Sequence, residues 1–193
     1  MALDGAFLYQ IKKELEETML QARVEKVYQP SKEEIVLSLR GRNCGGKLLL
    51  SARANSARIH FTQVQLENPL SPPMFCMLLR KRLASARLAQ IRQPGLERGL
   101  ALDFDCVNEL GVRLSLIMEI MGRYSNIILV DENGKIVDAV KRVDAEMSSE
   151  RLILPGLAYQ MPPQQNKRNL LTTPVEKILE ELERGKNAPL SKA

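Results

Sequence analysis

The stretch Val112–Val140, VRLSLIMEIMGRYSNIILVDENGKIVDAV, decides the fold. VRLSLIMEIM reads as one long strand and SNIILVD as a second. KIVDAV is a third, set off by the turn Glu132-Asn133-Gly134. Turn-linked strands without intervening helices pair antiparallel, because parallel pairing needs a long crossover. The insertion Gly122-Arg123-Tyr124-Ser125-Asn126 interrupts two apolar runs. A glycine there permits a bulge or the close approach of a ligand backbone. Arg123 and Tyr124 offer a cation beside a stacking surface, the combination that holds unstacked bases of single-stranded RNA loops. Glu119 on the flanking strand is a candidate acceptor for base amino groups. The same residues are also compatible with an ordinary bulged turn.

Upstream, LAQIRQ and RGLALDFDCV read as strands around Pro94-Gly95, and Asn108 to Gly111 as a tight turn. Residues 24–62 read as a four-strand meander with turns at Pro30-Ser31, Asn43 to Gly46 and Asn55-Ser56. Two helices flank these strands. Residues 4–20 repeat apolar residues at Phe7, Leu8, Ile11, Leu15 and Met19, with Asp4 as N-cap. PPMFCMLLRKRLASARL follows Ser71, the expected cap, with Pro72 and Pro73 in its first turn. The class is α+β: an antiparallel β-sandwich of two meanders with flanking helices. Residues 1–140 form the core. Residues 141–171 form a Pro-rich extended linker that packs on the core or leaves it. Residues 172–193 open a further helical module, with Thr173, Pro174 and Glu176 as a capping box.

Charge points to a partner. The 193 residues carry a net charge of +5, and residues 40–98 hold eleven basic groups against Glu67 and Glu97. Nine of the eleven are Arg, whose planar fork suits phosphate and stacks on bases. A polyanion is the favoured partner, with a solvated surface as the plain alternative.

Catalytic and cofactor patterns are missing. The single His60 sits in a strand context, RIHFT. Asn43-Cys44-Gly45-Gly46-Lys47 lacks phosphate-loop spacing. Asp103 and Asp105 share one strand face and read as a solvent-facing row opposite basic strands. The three cysteines are widely spaced, and no metal or other cofactor is expected. There is no secretory pattern, and no apolar run reaches the length of a membrane helix. The chain is expected to be a cytoplasmic, non-enzymatic protein without a membrane partner.

MALDGAFLYQIKKELEE, LPGLAY, ILVDENGKIVDA and above all EIMGRYSNIILVD resemble the N-terminal domain of the NFACT proteins. These are ribosome quality-control factors, and their bacterial members are also labelled fibronectin-binding protein A. The resemblance implies a partner in the large ribosomal subunit obstructed by peptidyl-tRNA. It also implies recruitment of alanyl-tRNA for C-terminal alanine tailing of stalled chains. It implies tRNA contacts at Glu97 and Arg98, where the family has Asp-Arg, and at Glu119, Met121 and Arg123. Tyr124, where with Arg123 the chain departs from the family's usual His or Lys-His, joins them through its own stacking ring. Arg80, Lys81, Arg82 and Arg87 would supply phosphate contacts. The implied fold is similar to the N-terminal domain of formamidopyrimidine-DNA glycosylases. Met1-Ala2-Leu3-Asp4 lacks their N-terminal Pro-Glu, which disfavours base excision. The alternative readings are a fibronectin-binding surface adhesin and a non-catalytic glycosylase relative.

Overall fold

A computed structural model describes residues 3–106, 111–163 and 171–184. Residues Met1–Pro162 form one unit and Pro163–Ala193 a second. Helix α1 (Gly5–Met19) starts where the Asp4 carboxylate accepts from the Phe7 amide at 2.7 Å. This satisfies one of the otherwise unpaired first-turn donors. Leu8, Leu15 and Met19 are buried, whereas Phe7 is exposed.

Strands β1 (Arg23–Ser31), β2 (Glu34–Arg40), β3 (Gly45–Ser51) and β4 (Arg58–Thr62) form the first meander. Pro30-Ser31 is strand rather than turn. Pro30 sits in an irregular stretch of the β1–β2 register, where its missing N–H is tolerated, and the reversal falls at Lys32-Glu33. Helix α2 (Met74–Leu83) follows, capped by Pro73 without a side-chain bond, so Ser71 is not the cap. Pro73 is extended, which places it before the first turn. Strands β5 (Arg87–Arg92), β6 (Gly99–Asp105), β7 (Arg113–Glu119), β8 (Asn126–Val130) and β9 (Ile136–Ala139) complete the sheet. The turn expected at Asn108 to Gly111 lies, except for Gly111, outside the described residues.

The two meanders are not separate sheets. They are hydrogen-bonded into one antiparallel sheet, ordered β4-β3-β2-β1-β5-β6-β7-β8-β9. The seam is β1–β5, where Arg23 pairs with Arg87. Amide bonds Gln21 to Leu88, Leu88 to Ala22 and Val24 to Ala86, all 2.8–2.9 Å, extend it. Gln21 and Ser85 flank this seam at φ 71° and 59°. Side chains rarely adopt these angles, so the surrounding bonds must hold them there.

The sheet's two halves share one apolar core. Ile35, Leu37, Leu48 and Leu50 of the first half join Leu102, Phe104, Leu116 and Leu129 of the second, with Leu8 and Leu79 from the helices. Lys141, just past β9, donates to the Ala52 carbonyl just past β3 at 2.7 Å and pairs with Glu33. This contact ties the end of β9 to the ends of β2 and β3.

Residues 141–160 lie across the opposite face of β6–β9. Ile153, with Val143 and Tyr159, covers Ala101, Ile117, Ile128 and Val130 as a second small core. Bridges Lys135–Ala158 and Val143–Ile153 fix the strap. A buried polar lock holds it as well. The Arg151 guanidinium donates to both Glu119 oxygens at 2.9 and 2.6 Å, and the Tyr159 hydroxyl donates to the same carboxylate at 2.8 Å. The Glu119 and Arg151 side chains are only 2% and 12% exposed. Burial, and then the Glu119 charge, push the Tyr159 phenol well above its ordinary value. In the second unit, helix α3 (Val175–Arg184) leaves Val175, Leu179 and Leu182 exposed.

Gly5 marks a forced approach. A Cβ at that position would overlap the Leu96 carbonyl. Gly5→Ala should therefore lower stability by about 1–3 kcal/mol in urea unfolding. Glu119→Gln removes the charge facing a buried guanidinium and should cost about 3 kcal/mol by the same measurement. Arg151→Met in that background should recover part of the loss. The raised Tyr159 phenol gives a third expectation. The folded state keeps this proton after the unfolded chain has begun to release it near the ordinary phenol value of 10.0. Its contribution is complete below about pH 10 and is lost as pH rises. Unfolding titrations of Tyr159→Phe should show a shallower decline above that pH than the parent chain.

Candidate nucleic-acid interface

The start of β6 and the end of β7 bring one group of candidate residues together. Gly99 pairs with Glu119, and the Ile120 amide donates to the Arg98 carbonyl at 2.8 Å. Glu97-Arg98 and the turn after β7 thus emerge at the same end of the sheet. Gln93 fixes the corner: its side-chain amide donates to the carbonyls of Gly5 and Glu97, both at 2.8 Å. The tight Gly5–Leu96 approach holds helix α1 against it. Arg98 is exposed and Glu97 half-buried. Among the described residues neither side chain is held in an ion pair, so Arg98 keeps its donors for solvent or ligand.

The interruption between β7 and β8 is a single 3-10 turn, Gly122–Tyr124. Gly122 takes φ +56°, a conformation that a side chain would strain. The Met121 amide donates to the Ser125 hydroxyl at 2.8 Å and closes the turn. The Arg123 guanidinium lies 4.7 Å from the Tyr124 ring centroid and donates to the Tyr124 hydroxyl. Tyr124 is 62% exposed. The cation and the ring are thus preassembled side by side and face solvent. Met121 beside them is half-buried.

Glu119 does not join this surface. It is buried, and Arg151 and Tyr159 engage its carboxylate. It has no route to a base amino group and instead anchors the strap behind the turn. Burial was not readable from the alternation of β7, because the covering residues lie 32 and 40 positions later.

The residues chosen as phosphate contacts lie elsewhere. Arg87 aligns with Asp105, at the opposite end of β6 from Gly99. Six residue steps separate those ends, about 20 Å along the strand. Arg80 is exposed, but its guanidinium donates to the Val27 carbonyl at 2.9 Å. Lys81 is exposed. Arg82 is half-buried, and its carbonyl receives the Cys106 thiol at 3.5 Å. Arg98 and Arg87, expected on one face, therefore stand at the two ends of β6, and Arg80, Lys81 and Arg82 lie on helix α2.

The other chemical candidates resolve into structural roles. Asp103 is not solvent-facing: it is 2% exposed and bonded by Arg92 (2.8 Å) and Ser115 (2.6 Å). Asp105 bonds Arg113 and Arg87, and the Arg113 bond foremost holds its carboxyl below the usual range. His60 lies in β4, with one ring nitrogen bonded by Arg58 and the other near the Phe61 carbonyl. Cys76 and Cys106 are buried and Cys44 is half-buried. Among the described residues no group of three or more His, Cys, Asp or Glu could hold a metal ion. No helix among them is long and apolar enough to cross a membrane.

Comparison with known proteins identifies the family of the chain. The chain is 41% identical over 186 residues to the Rqc2 homolog RqcH of Bacillus subtilis, covering 94% of this chain and 32% of the relative. It is 30% identical over 128 residues to the human ribosome quality control complex subunit NEMF, covering 66% and 11%. The chain thus spans about a third of its bacterial relative. The crystal structure of the N-terminal domain of the fibronectin-binding protein PavA from Streptococcus pneumoniae superposes with a TM-score of 0.87. Its identity is 39%, covering 93% of this chain and 68% of that one. A family model describing NFACT N-terminal and middle domains matches residues 4–193. The corner, the glycine turn and the strapped sheet are thus features of a chain that belongs to the NFACT family.

Proposed function

We propose that this chain is a non-enzymatic RNA-binding module of a ribosome quality-control factor. Its partners are tRNA and the large ribosomal subunit carrying peptidyl-tRNA. In the whole protein it recruits alanyl-tRNA for alanine tailing of stalled chains. One observation carries the reading: the exposed Arg98, free of any ion pair among the described residues, emerges beside the stacked Arg123–Tyr124 pair. Arg98 donates to bases, riboses or phosphate of the anticodon arm, and Glu97 accepts. Arg123 and Tyr124 offer a preformed platform for an unstacked loop base, with Met121 alongside. Glu119 acts from behind, holding the end of β7 through Arg151 and Tyr159. Similarity to RqcH and to the human ribosome quality control complex subunit NEMF supports the ribosomal setting.

A fibronectin-binding role is the second reading, favoured by the likeness to the PavA domain. Immobilised fibronectin separates the two: an adhesin retains the purified chain and an RNA module does not.

Arg98→Ala should weaken binding of alanine tRNA by about 1–3 kcal/mol in a polarisation titration. Its urea unfolding should match the parent, because among the described residues the exposed side chain makes no hydrogen bond or ion pair. Undiminished tRNA affinity in this variant would refute the assignment of the corner.

A further inference from the structure

The sheet register creates a feature invisible along the chain. Arg40 on β2 pairs with Arg23 on β1, and Arg23 pairs with Arg87 on β5. Arg87 pairs with Asp105 on β6, and Asp105 with Arg113 on β7. Directly opposed residues project from the same face. Each one precedes or follows a core residue (Leu39, Val24, Leu88, Phe104 and Leu114), so all five project away from the main core. The four arginines are exposed. At about 4.8 Å per strand the row runs about 19 Å. A second row, Lys26–Ser38–Lys47, lies beside it on β1, β2 and β3.

The charges in this row are poorly balanced. Like charges directly opposite each other destabilise a sheet. Their spacing is below the roughly 8 Å screening length of physiological salt, so the repulsion persists. Asp105 serves both Arg87 and Arg113, at 3.0 and 2.8 Å. Glu25 approaches Arg40 at 3.4 Å. Arg23 lies between two arginines and donates only to the Ser85 carbonyl, with no carboxylate partner among the described residues.

We infer that the arginine row across β2, β1, β5 and β7 is a second RNA-backbone contact, separate from the Arg98–Tyr124 corner. Its ligand is a run of phosphates. A linear polyanion places one charge after another along a linear row of cations, and guanidinium forks pair with phosphate oxygens in two-point fashion. An acidic protein would need its carboxylates in an equally extended line. The row and the corner stand at opposite ends of β6, so one folded RNA or two RNA segments would be held at two places. This inference goes beyond the corner reading and does not depend on it.

The test is a salt titration of the 193-residue chain with fluorescent oligouridylate. The Arg23→Ala/Arg40→Ala variant leaves both Asp105 bonds intact. The slope of log affinity against log salt should become shallower by about 1.4, since each single-strand phosphate contact contributes about 0.7. Affinity at low salt should fall roughly tenfold. Arg23→Gln alone should give about half the slope change and guards against misfolding of the double variant. Arg98→Ala, run in parallel, reports on the corner independently, so either assignment can fail while the other stands. Parental slope and affinity in a folded ladder variant would overturn the inference. So would displacement of the RNA by polyaspartate as effective as that by RNA of matched charge, which would assign the row to an acidic protein.

Discussion

The β1–β5 seam is the constraint on which the rest of the molecule depends. Seven of the eight strand-to-strand connections join strands that are neighbours in the sheet. Only the step across helix α2 brings β5 to the far side of β1. A few backbone bonds and two residues with positive φ make that join. Without it, each half would expose the core face that the other half and the helices cover. With it, Arg23 meets Arg87, and the charge-bearing ends of five strands fall into one register.

The strap across the second half depends on a different balance. Glu119 and Arg151 are nearly out of water, where desolvation opposes their attraction. The arrangement is tolerable because both guanidinium arms and the Tyr159 hydroxyl converge on one carboxylate, leaving little polar surface unmatched. This lock is specific in register. It fixes the last residue of β7 and thereby the starting point of the glycine turn that carries Arg123 and Tyr124.

Much of the fold was legible in the sequence because it rests on local rules. The 3.6-residue repeat and Asp4 cap of α1 and the turn-punctuated strands follow from chemistry within a few positions. The seam was not legible, because nothing in residues 21–24 or 85–88 names its partner about sixty positions away. The site divides in the same way. Arg123 and Tyr124 are exposed in a turn, as the insertion between two apolar runs suggested, whereas Arg98, read as the start of a strand, lies exposed just before β6. Glu119 was misplaced because its covering residues come from the distant strap. Arg80 and Arg87 were grouped with Arg98 because charge density along a chain carries no information about which end of a strand a residue occupies. Asp103 failed for a related reason: its alternation correctly sets it opposite Leu102 and Phe104, but the face it joins is itself partly covered.

The order of the sheet leaves β4 as a terminal strand, and β4 is only five residues long. Its sequence RIHFT places Arg58 and His60 among its apolar residues. A short border carrying a cation is a poor template for intermolecular strand addition, which guards against fibril growth. At the other end, the Lys135–Ala158 bridge beside β9 occupies backbone groups that would otherwise invite another chain. The two borders of this wide sheet, one short and cationic and the other bridged, thus each present little free backbone for a further strand.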